Sequence, residues 1–142
     1  MARPRAIGLA EVYTRGLGLV FCFIALLMLF APEKNLQAHG IDFSKLNVGG
    51  QAEISAYYVG TSWAIGFVML TAEITMALET AIFTLGGFVI TRLFAYARTG
   101  VDKDSAVEMF QHAMFAAELN GTLAGIFLLF SMRGKKKADK RS

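Results

Sequence analysis

The sequence predicts an all-α integral membrane protein that folds as a four-helix bundle. The 142 residues are 55% hydrophobic and 18% charged, with a mean hydropathy of +0.49. Soluble domains are less apolar, at about 45–50%, and more charged, at about 25%. Four continuous apolar runs are close to the ~20 residues that a helix needs to cross a bilayer, at 16–31, 54–74, 76–97 and 109–132. Because these runs do not alternate polar and apolar residues, a membrane β-barrel is excluded.

The first span is expected to begin near Ala10 and to end at Ala31, next to Pro32. A residue that precedes proline avoids the helical conformation, so this position favours a helix end. A cleaved signal peptide is the alternative for this segment. Its apolar run is longer than a usual signal core and no Ala-x-Ala cleavage site follows it, which favours a retained span.

The connections between the predicted spans differ in length. Residues 32–52 form the longest polar segment, and 41–46 within it is expected to lie on the membrane as a short amphipathic piece. A tight turn at 73–75 joins the second and third spans, and 98–108 joins the third and fourth. Four spans and these links occupy residues 1–142, so a single membrane domain with short basic tails is expected.

Basic residues are concentrated in the two terminal segments, which together hold most of the 14 Lys and Arg residues. Because positive residues favour the cytoplasmic side of a membrane, both termini are expected to be cytoplasmic. The expected location is a bacterial inner membrane. The last segment would also attract anionic lipid headgroups at about 1 kcal/mol per charge, through Lys135, Lys136 and Lys137. Nucleic-acid binding is not favoured, because topology already explains so short a basic tail.

Arg92 and Glu118 are charged residues inside apolar runs. At a helical rise of 1.5 Å per residue, they lie about 9 Å and about 15 Å from the end that faces the 98–108 link. An isolated charge at this depth costs at least about 2.5–3.5 kcal/mol, so we expect the two to pair. Two interpretations of the pair stay open. It is a structural pair that fixes helix register, or part of a site for a ligand, ion or proton.

Other polar residues are expected at a similar depth, which predicts a polar pocket that opens outward between spans two, three and four. They are Tyr57, Tyr58, His112 and Asn120, with Glu53 at the outer start of the second span. A single histidine near a helix end is a weak signal for haem. The only cysteine is Cys22, and no Cys/His spacing typical of a metal site occurs. We therefore predict neither a metal nor a cofactor.

Small residues recur every four positions in three of the spans, and such stripes let helix backbones approach closely in lipid. The simplest interpretation is packing within the bundle, and the alternative is contact with a partner subunit. The stripes are Ala10, Thr14, Gly18 and Cys22; Ala52, Ala56, Gly60 and Ala64; and Ala113, Ala117, Gly121 and Gly125.

Short motifs are spread over residues 50–130: EISAYYVG at 53–60, AIG at 64–66, GG at 86–87, TRL at 91–93 and EL at 118–119. This set resembles a bacterial four-helix membrane family known as domain of unknown function 4345. The family pattern in span two is acid-x-Arg-Ala-x-Tyr-Gly-Gly, and here Ser55 replaces the arginine and Val59 replaces one glycine. The resemblance implies a four-span fold and no activity, and it singles out Glu53, Tyr58, Gly60, Arg92 and Glu118.

The sequence does not favour an enzyme, because it contains no nucleophile–base set, metal cluster or nucleotide-binding loop. It also lacks the duplicated halves that are typical of secondary transporters. The leading expectation is an auxiliary or scaffold subunit that contacts membrane lipids and a larger membrane protein or a second copy of itself. The alternative is a protein that binds a lipid, quinone or similar hydrophobic molecule beside Arg92 and Glu118.

Overall fold

The computed structural model of the chain describes residues 5–99 and 106–138, with side chains for 6–98 and 109–133. Four helices in these residues are long and apolar enough to cross a membrane, at Ala6–Phe30, Val48–Thr71, Ile74–Arg98 and Met109–Arg133. The predicted all-α, four-span fold is therefore confirmed. The elements are α1 (Arg5–Phe30), α2 (Pro32–Ala38), a 3-10 turn (Phe43–Lys45), α3 (Val48–Thr71), α4 (Ile74–Thr99) and α5 (Ala106–Ala138).

The first span ends where the sequence predicts but begins earlier, at Arg5, because apolar residues continue toward the N-terminus. Ala31 leaves the helical conformation with φ −143° and ψ 57°, and Pro32 opens α2. Proline suits the first turn of a helix because the missing N–H would have no partner there. Helix α2, which the sequence analysis did not predict, buries Leu36 completely. The predicted surface piece at 41–46 contains the 3-10 turn.

The third helix begins five residues before the predicted start at Glu53. Asn47 caps it, since its side-chain oxygen accepts a hydrogen bond from the backbone N–H of Gly50 at 2.7 Å. The link to α4 is also shorter than predicted. It is only Ala72 and Glu73, and Ile74 already begins α4.

Helices α1 and α3 form the closest pair, and their backbones meet at two glycines. A Cβ on Gly66 would lie 2.6 Å from Cys22 Sγ and 2.9 Å from the Gly18 carbonyl oxygen. No larger residue fits this crossing without moving a backbone. Beside it, the Arg15 guanidinium donates hydrogen bonds to the carbonyls of Met69 (2.6 Å) and Ala72 (3.1 Å). These bonds satisfy carbonyls at the end of α3 that have no partner inside the helix.

Helices α4 and α5 form the second pair. Cβ atoms on Gly121 and Gly125 would lie 2.7 Å and 2.8 Å from side-chain atoms of Leu85 and Ile82. Helix α1 joins the two pairs, because the Tyr13 hydroxyl donates a hydrogen bond of 2.5 Å to the Gly121 carbonyl. The core between the pairs consists of Phe21, Met69, Ala81 and Leu85, with Tyr13, Leu17 and Ile65 packed against it.

The small-residue stripe predicted for the second span does not pack within the bundle, which corrects the simpler of its two interpretations. Ala56, Gly60 and Ala64 are exposed, and a Cβ on Gly60 would meet nothing within 4 Å. The packed face of α3 carries Ser62, Gly66 and Met69 instead. In the fourth span Ala117 is also exposed, whereas Gly121 is half-buried and Gly125 is buried. Four-residue spacing identifies a stripe but not the direction in which it faces.

Candidate functional site

Arg92 of α4 and Glu118 of α5 form a two-point ion pair. Arg92 Nε donates to Glu118 Oε2 at 2.7 Å, and Nη2 donates to Oε1 at 3.0 Å. The third guanidinium nitrogen, Nη1, donates to the side-chain oxygen of Gln111. Glu118 is 4% exposed and the Arg92 side chain is 20% exposed. Parallel two-point bonds are among the strongest that arginine makes, so the two side chains hold each other in one geometry.

The ion pair borders a cavity of about 550 Å³. The cavity lies in the half of the bundle away from the chain termini, and we call it the far-end cavity. All four spans and α2 contribute to its lining. Phe21 of the packed core is part of the lining. The other lining residues are Ile24, Met28, Asn35, His39, Ile41, Tyr58, Ser62, Phe88, Thr91, Arg92, Ala95, Phe110, Gln111, Met114 and Glu118.

The structure brings three of the predicted site residues to this cavity, namely Arg92, Glu118 and Tyr58. Four others are exposed on different helix faces: Glu53, Tyr57, His112 and Asn120. Their depth along the helices predicted a position near Arg92 and Glu118. Successive residues of a helix are rotated by about 100°, however, so residues at the same depth can face different sides of the helix. The His112 ring stacks on Tyr96 at 5.7 Å. The Asn120 amide donates to the Ala116 carbonyl on its own helix at 2.9 Å.

The predicted site residues did not include five polar residues of the lining, namely Asn35, His39, Ser62, Thr91 and Gln111. Asn35 and Thr91 donate hydrogen bonds to nearby backbone carbonyls. Gln111 is seven residues before Glu118, and Ser62 is four residues after Tyr58. Both spacings place a pair of residues on one helix face, so a search by helix face finds them. His39 has no such signal, since it lies just after α2 and reaches the cavity through the fold of 32–47.

The segment that contains His39 is held at both ends. The Asn35 amide donates to the carbonyls of Leu27 (3.1 Å) and Ala31 (2.8 Å), which fixes α2 to the end of α1. The Gln51 amide donates to the carbonyls of Phe43 (3.2 Å) and Leu46 (3.1 Å), which fixes the 3-10 turn to α3. Between them the chain reverses at Gly40, where φ is 77°, a conformation that glycine adopts without strain.

The His39 ring packs at the mouth of the cavity. It meets Phe110 edge-on at 5.3 Å and Tyr58 at 6.4 Å between ring centroids. Burial lowers the pKa of His39 below its ordinary value of 6.5, and the positive charge of Arg92 lowers it further, while Glu118 partly opposes this. The imidazole is therefore neutral at pH 7, with one ring nitrogen as donor and the other as acceptor.

Two further sequence expectations concern residues away from this cavity. The side chains of Lys135, Lys136 and Lys137 lie outside the described part of the chain, although the backbone there continues α5. Among the described residues, no group of three or more His, Cys, Asp or Glu side chains is placed to hold a metal ion.

Comparisons with models of protein families, with curated proteins and with solved structures find no match to this chain. The resemblance to domain of unknown function 4345 is therefore supported only in its general form. The chain has the four long apolar helices of a small four-helix membrane protein, and no family is identified.

Proposed function

We propose that this membrane protein binds a hydrophobic small molecule, such as a lipid or a quinone, in the far-end cavity. The observation that supports this most is the cavity itself, of about 550 Å³, with a buried ion pair at its inner end. Ligand pockets in proteins typically enclose about 300–1,000 Å³ and combine apolar walls with a few polar groups. The far-end cavity has both features.

A purely structural role for Arg92 and Glu118 accounts for the pair but not for the space beside it. Protein interiors are close-packed, with few voids larger than a water molecule. At the glycine contacts nearer the termini, the side chains of Leu85 and Ile82 fill the space between helices. In the far-end cavity, Met28, Phe110 and Met114 surround open volume instead.

The test is to identify molecules that co-purify with the protein, and to fill the cavity. Met114→Trp places a large ring in the cavity lining, whereas Met76→Trp adds the same ring at an exposed position of α4. The proteins are extracted in mild detergent and examined by native mass spectrometry. We expect a bound small molecule in the wild type and in Met76→Trp, and its loss in Met114→Trp. Equal retention in both variants would place the molecule elsewhere and refute the proposal.

An auxiliary or scaffold role is the second candidate, and the outward stripe of α3 favours it. Ala56, Gly60 and Ala64 form an exposed face of α3. Within the described residues, no atom lies within 4 Å of a Cβ placed on Gly60. Small residues allow another transmembrane helix to approach closely. The partner would be a larger membrane protein or a second copy of this chain.

The auxiliary role is tested with Gly60→Leu, and Gly87→Leu serves as control because that glycine is also open and lies on α4. Each variant is cross-linked in native membranes and its neighbours are identified. We expect Gly60→Leu to lose a cross-linked protein that Gly87→Leu retains, at equal membrane abundance. Identical cross-linking patterns would remove the support for a partner on this face.

The orientation in the membrane belongs to the same proposal. We propose that both termini are cytoplasmic, since most of the Lys and Arg residues lie in the terminal segments. The far-end cavity then faces the outer side. A reporter enzyme fused after Ser142 is expected to be active only in the cytoplasm, and one inserted at 42–45 only outside. The opposite pattern would reverse the topology and make the cavity face inward.

A further inference from the structure

We infer that the far-end cavity selects an uncharged lipophile whose head carries hydrogen-bond acceptor oxygens, and that Gln111, Ser62 and Tyr58 are the donors that recognise it. This inference rests on the proposed function, because it names the ligand class of the same cavity. A carbonyl-bearing ring such as a quinone fits this class. A fatty acid, a phospholipid phosphate or an organic cation does not.

The first step concerns charge. The guanidinium of Arg92 directs Nε and Nη2 at the two oxygens of Glu118, and Nη1 at Gln111. The carboxylate accepts two of these bonds and is 4% exposed. The pair therefore adds no net charge to the cavity. An anionic head would have to displace Glu118 from Arg92, and this would leave a buried carboxylate without its partner, which is strongly unfavourable.

The second step concerns the hydrogen-bonding groups that remain. The Gln111 oxygen is occupied by Arg92, so its amide N–H groups are the part of the side chain left for another partner. Those N–H groups and the hydroxyls of Tyr58 and Ser62 make no side-chain hydrogen bond within the described residues, and all three side chains line the cavity. Ser62 is also 8% exposed. A ligand that carries acceptor oxygens can accept hydrogen bonds from these donors when it displaces water from the cavity, so such a ligand is favoured over one without acceptors.

The third step concerns cations. Among the described residues, the charged groups that line the cavity are Arg92 and Glu118, and the other titratable side chains in the lining are His39 and Tyr58. The lowered pKa of His39 keeps the imidazole neutral near pH 7. Within the part of the chain that the structure describes, the lining then holds no unpaired carboxylate that could balance a positive head. The rest of the lining is mainly aliphatic and aromatic, which suits an apolar tail.

The experiment compares four probes that share a ten-carbon chain and differ in the head. They are a decyl-substituted benzoquinone, decanoate, decyltrimethylammonium and decylbenzene, the last of which has a ring but no acceptor oxygen. Binding in detergent micelles is measured by native mass spectrometry. Met114→Trp, whose cavity is filled, gives the background signal of each probe. Subtracting this background removes the contribution of probe that is only dissolved in the micelle. We expect the quinone to bind the wild type at least about tenfold more tightly than the other three, the discrimination typical of two or more hydrogen bonds.

Two variants test the named groups. Gln111→Leu removes the amide donors and should weaken quinone binding several-fold, whereas Gln37→Leu, at an exposed position of α2, should not change it. Glu118→Gln keeps the shape of the side chain but leaves the Arg92 charge without its counter-ion. We expect this variant to reverse the preference, so that decanoate binds more tightly than the quinone.

The outcomes separate the ligand class from the proposed function. If decylbenzene binds the wild type as tightly as the quinone, the cavity binds lipophiles but does not recognise acceptor oxygens, and this inference fails while the proposed function stands. Tighter binding of decanoate or decyltrimethylammonium to the wild type also overturns the inference. If none of the probes binds above the Met114→Trp background, the inference fails, and the co-purified molecule decides the proposed function independently.

Discussion

At the end of the bundle that carries the chain termini, helices meet through glycine backbones, whereas at the far end they separate around a cavity. Near the termini, Gly18 and Gly66 allow the backbones of α1 and α3 to come into contact. Gly125 of α5 leaves space for the side chain of Ile82 on α4. Farther along the same four helices, the ion pair of Arg92 and Glu118 is accompanied by about 550 Å³ of open volume. One end is therefore packed by direct contact between helices, and the other leaves open space between them.

The difference shows how a small membrane protein keeps a cavity open without losing its fold. Lipid gives no hydrophobic force that drives helices together, so close packing and polar contacts must hold the bundle. The packed end supplies both, through its glycines and through the bonds that Arg15 donates to the end of α3. The far end then depends on the ion pair to hold α4 against α5. Variants at both ends of the bundle test this division between a packed end and an open end.

The ion pair is expected to have the largest effect. Arg92→Leu should leave Glu118 buried without its partner, and breaking a buried pair costs about 3–5 kcal/mol in soluble proteins and less where lipid surrounds the chain. The double variant Arg92→Leu with Glu118→Leu should recover much of this loss. Thermal unfolding in detergent is measured for the wild type, for Arg92→Leu, for Glu118→Leu and for the double variant. If the two single losses simply add in the double variant, the residues do not stabilise each other and the far end is held in another way.

The glycine crossing of α1 and α3 comes next. Gly66→Leu forces a side chain against Cys22 and the Gly18 carbonyl, and overpacking of this kind costs about 1–3 kcal/mol. Gly60→Leu adds the same side chain to an open position of the same helix and should leave the thermal midpoint unchanged. The ratio of folded to aggregated protein after extraction is a second measurement. Equal stability of the two variants would show that the packed end does not depend on close backbone contact.

A smaller effect is expected at the bond between α1 and α5. Tyr13→Phe removes the hydroxyl that donates to the Gly121 carbonyl at 2.5 Å. One hydrogen bond contributes about 0.5–1.5 kcal/mol, so the thermal midpoint should fall modestly. Tyr57→Phe is the control, because Tyr57 is exposed and its hydroxyl makes no hydrogen bond with the described residues. A loss as large as that of Gly66→Leu would mean that this bond contributes as much as the glycine crossing to holding α1 in place, and would contradict the expected order.

The smallest effect is a dependence of stability on pH at the cavity mouth. The pKa of His39 in the folded protein lies below its ordinary value of 6.5, so the unfolded chain binds a proton more readily than the folded chain. The contribution of His39 to stability is then fully present above about pH 6.5 and is lost as the pH falls through the lowered pKa. His39→Gln should remove this part of the acid sensitivity. The thermal midpoints of the wild type and of His39→Gln, measured between pH 4 and 8, test this expectation. If the two plots of midpoint against pH run parallel, His39 does not contribute to the acid sensitivity.

The sequence predicted the spans better than the faces. Continuous apolar runs predicted four helices, and the proline at position 32 marked the end of the first one. Arg92 and Glu118, two charged residues inside apolar runs, indicated where a polar cavity lies. Depth alone also selected Tyr57, His112 and Asn120, which point away from the cavity. Gln111 and Ser62 were missed because each is an uncharged polar residue within an apolar run, and such residues do not by themselves indicate a site.

Hydropathy and length depend only on local composition, so the amino-acid sequence is enough to identify four helices that can cross a membrane, with Arg92 and Glu118 inside two of them. The tertiary structure decided what those helices face. The rotation of α3 turned Gly66 inward and Gly60 outward, and the fold of 32–47 brought His39 beside Tyr58. The direction in which a helix faces is set by all of its neighbours together, and no single helix carries that information in its own sequence.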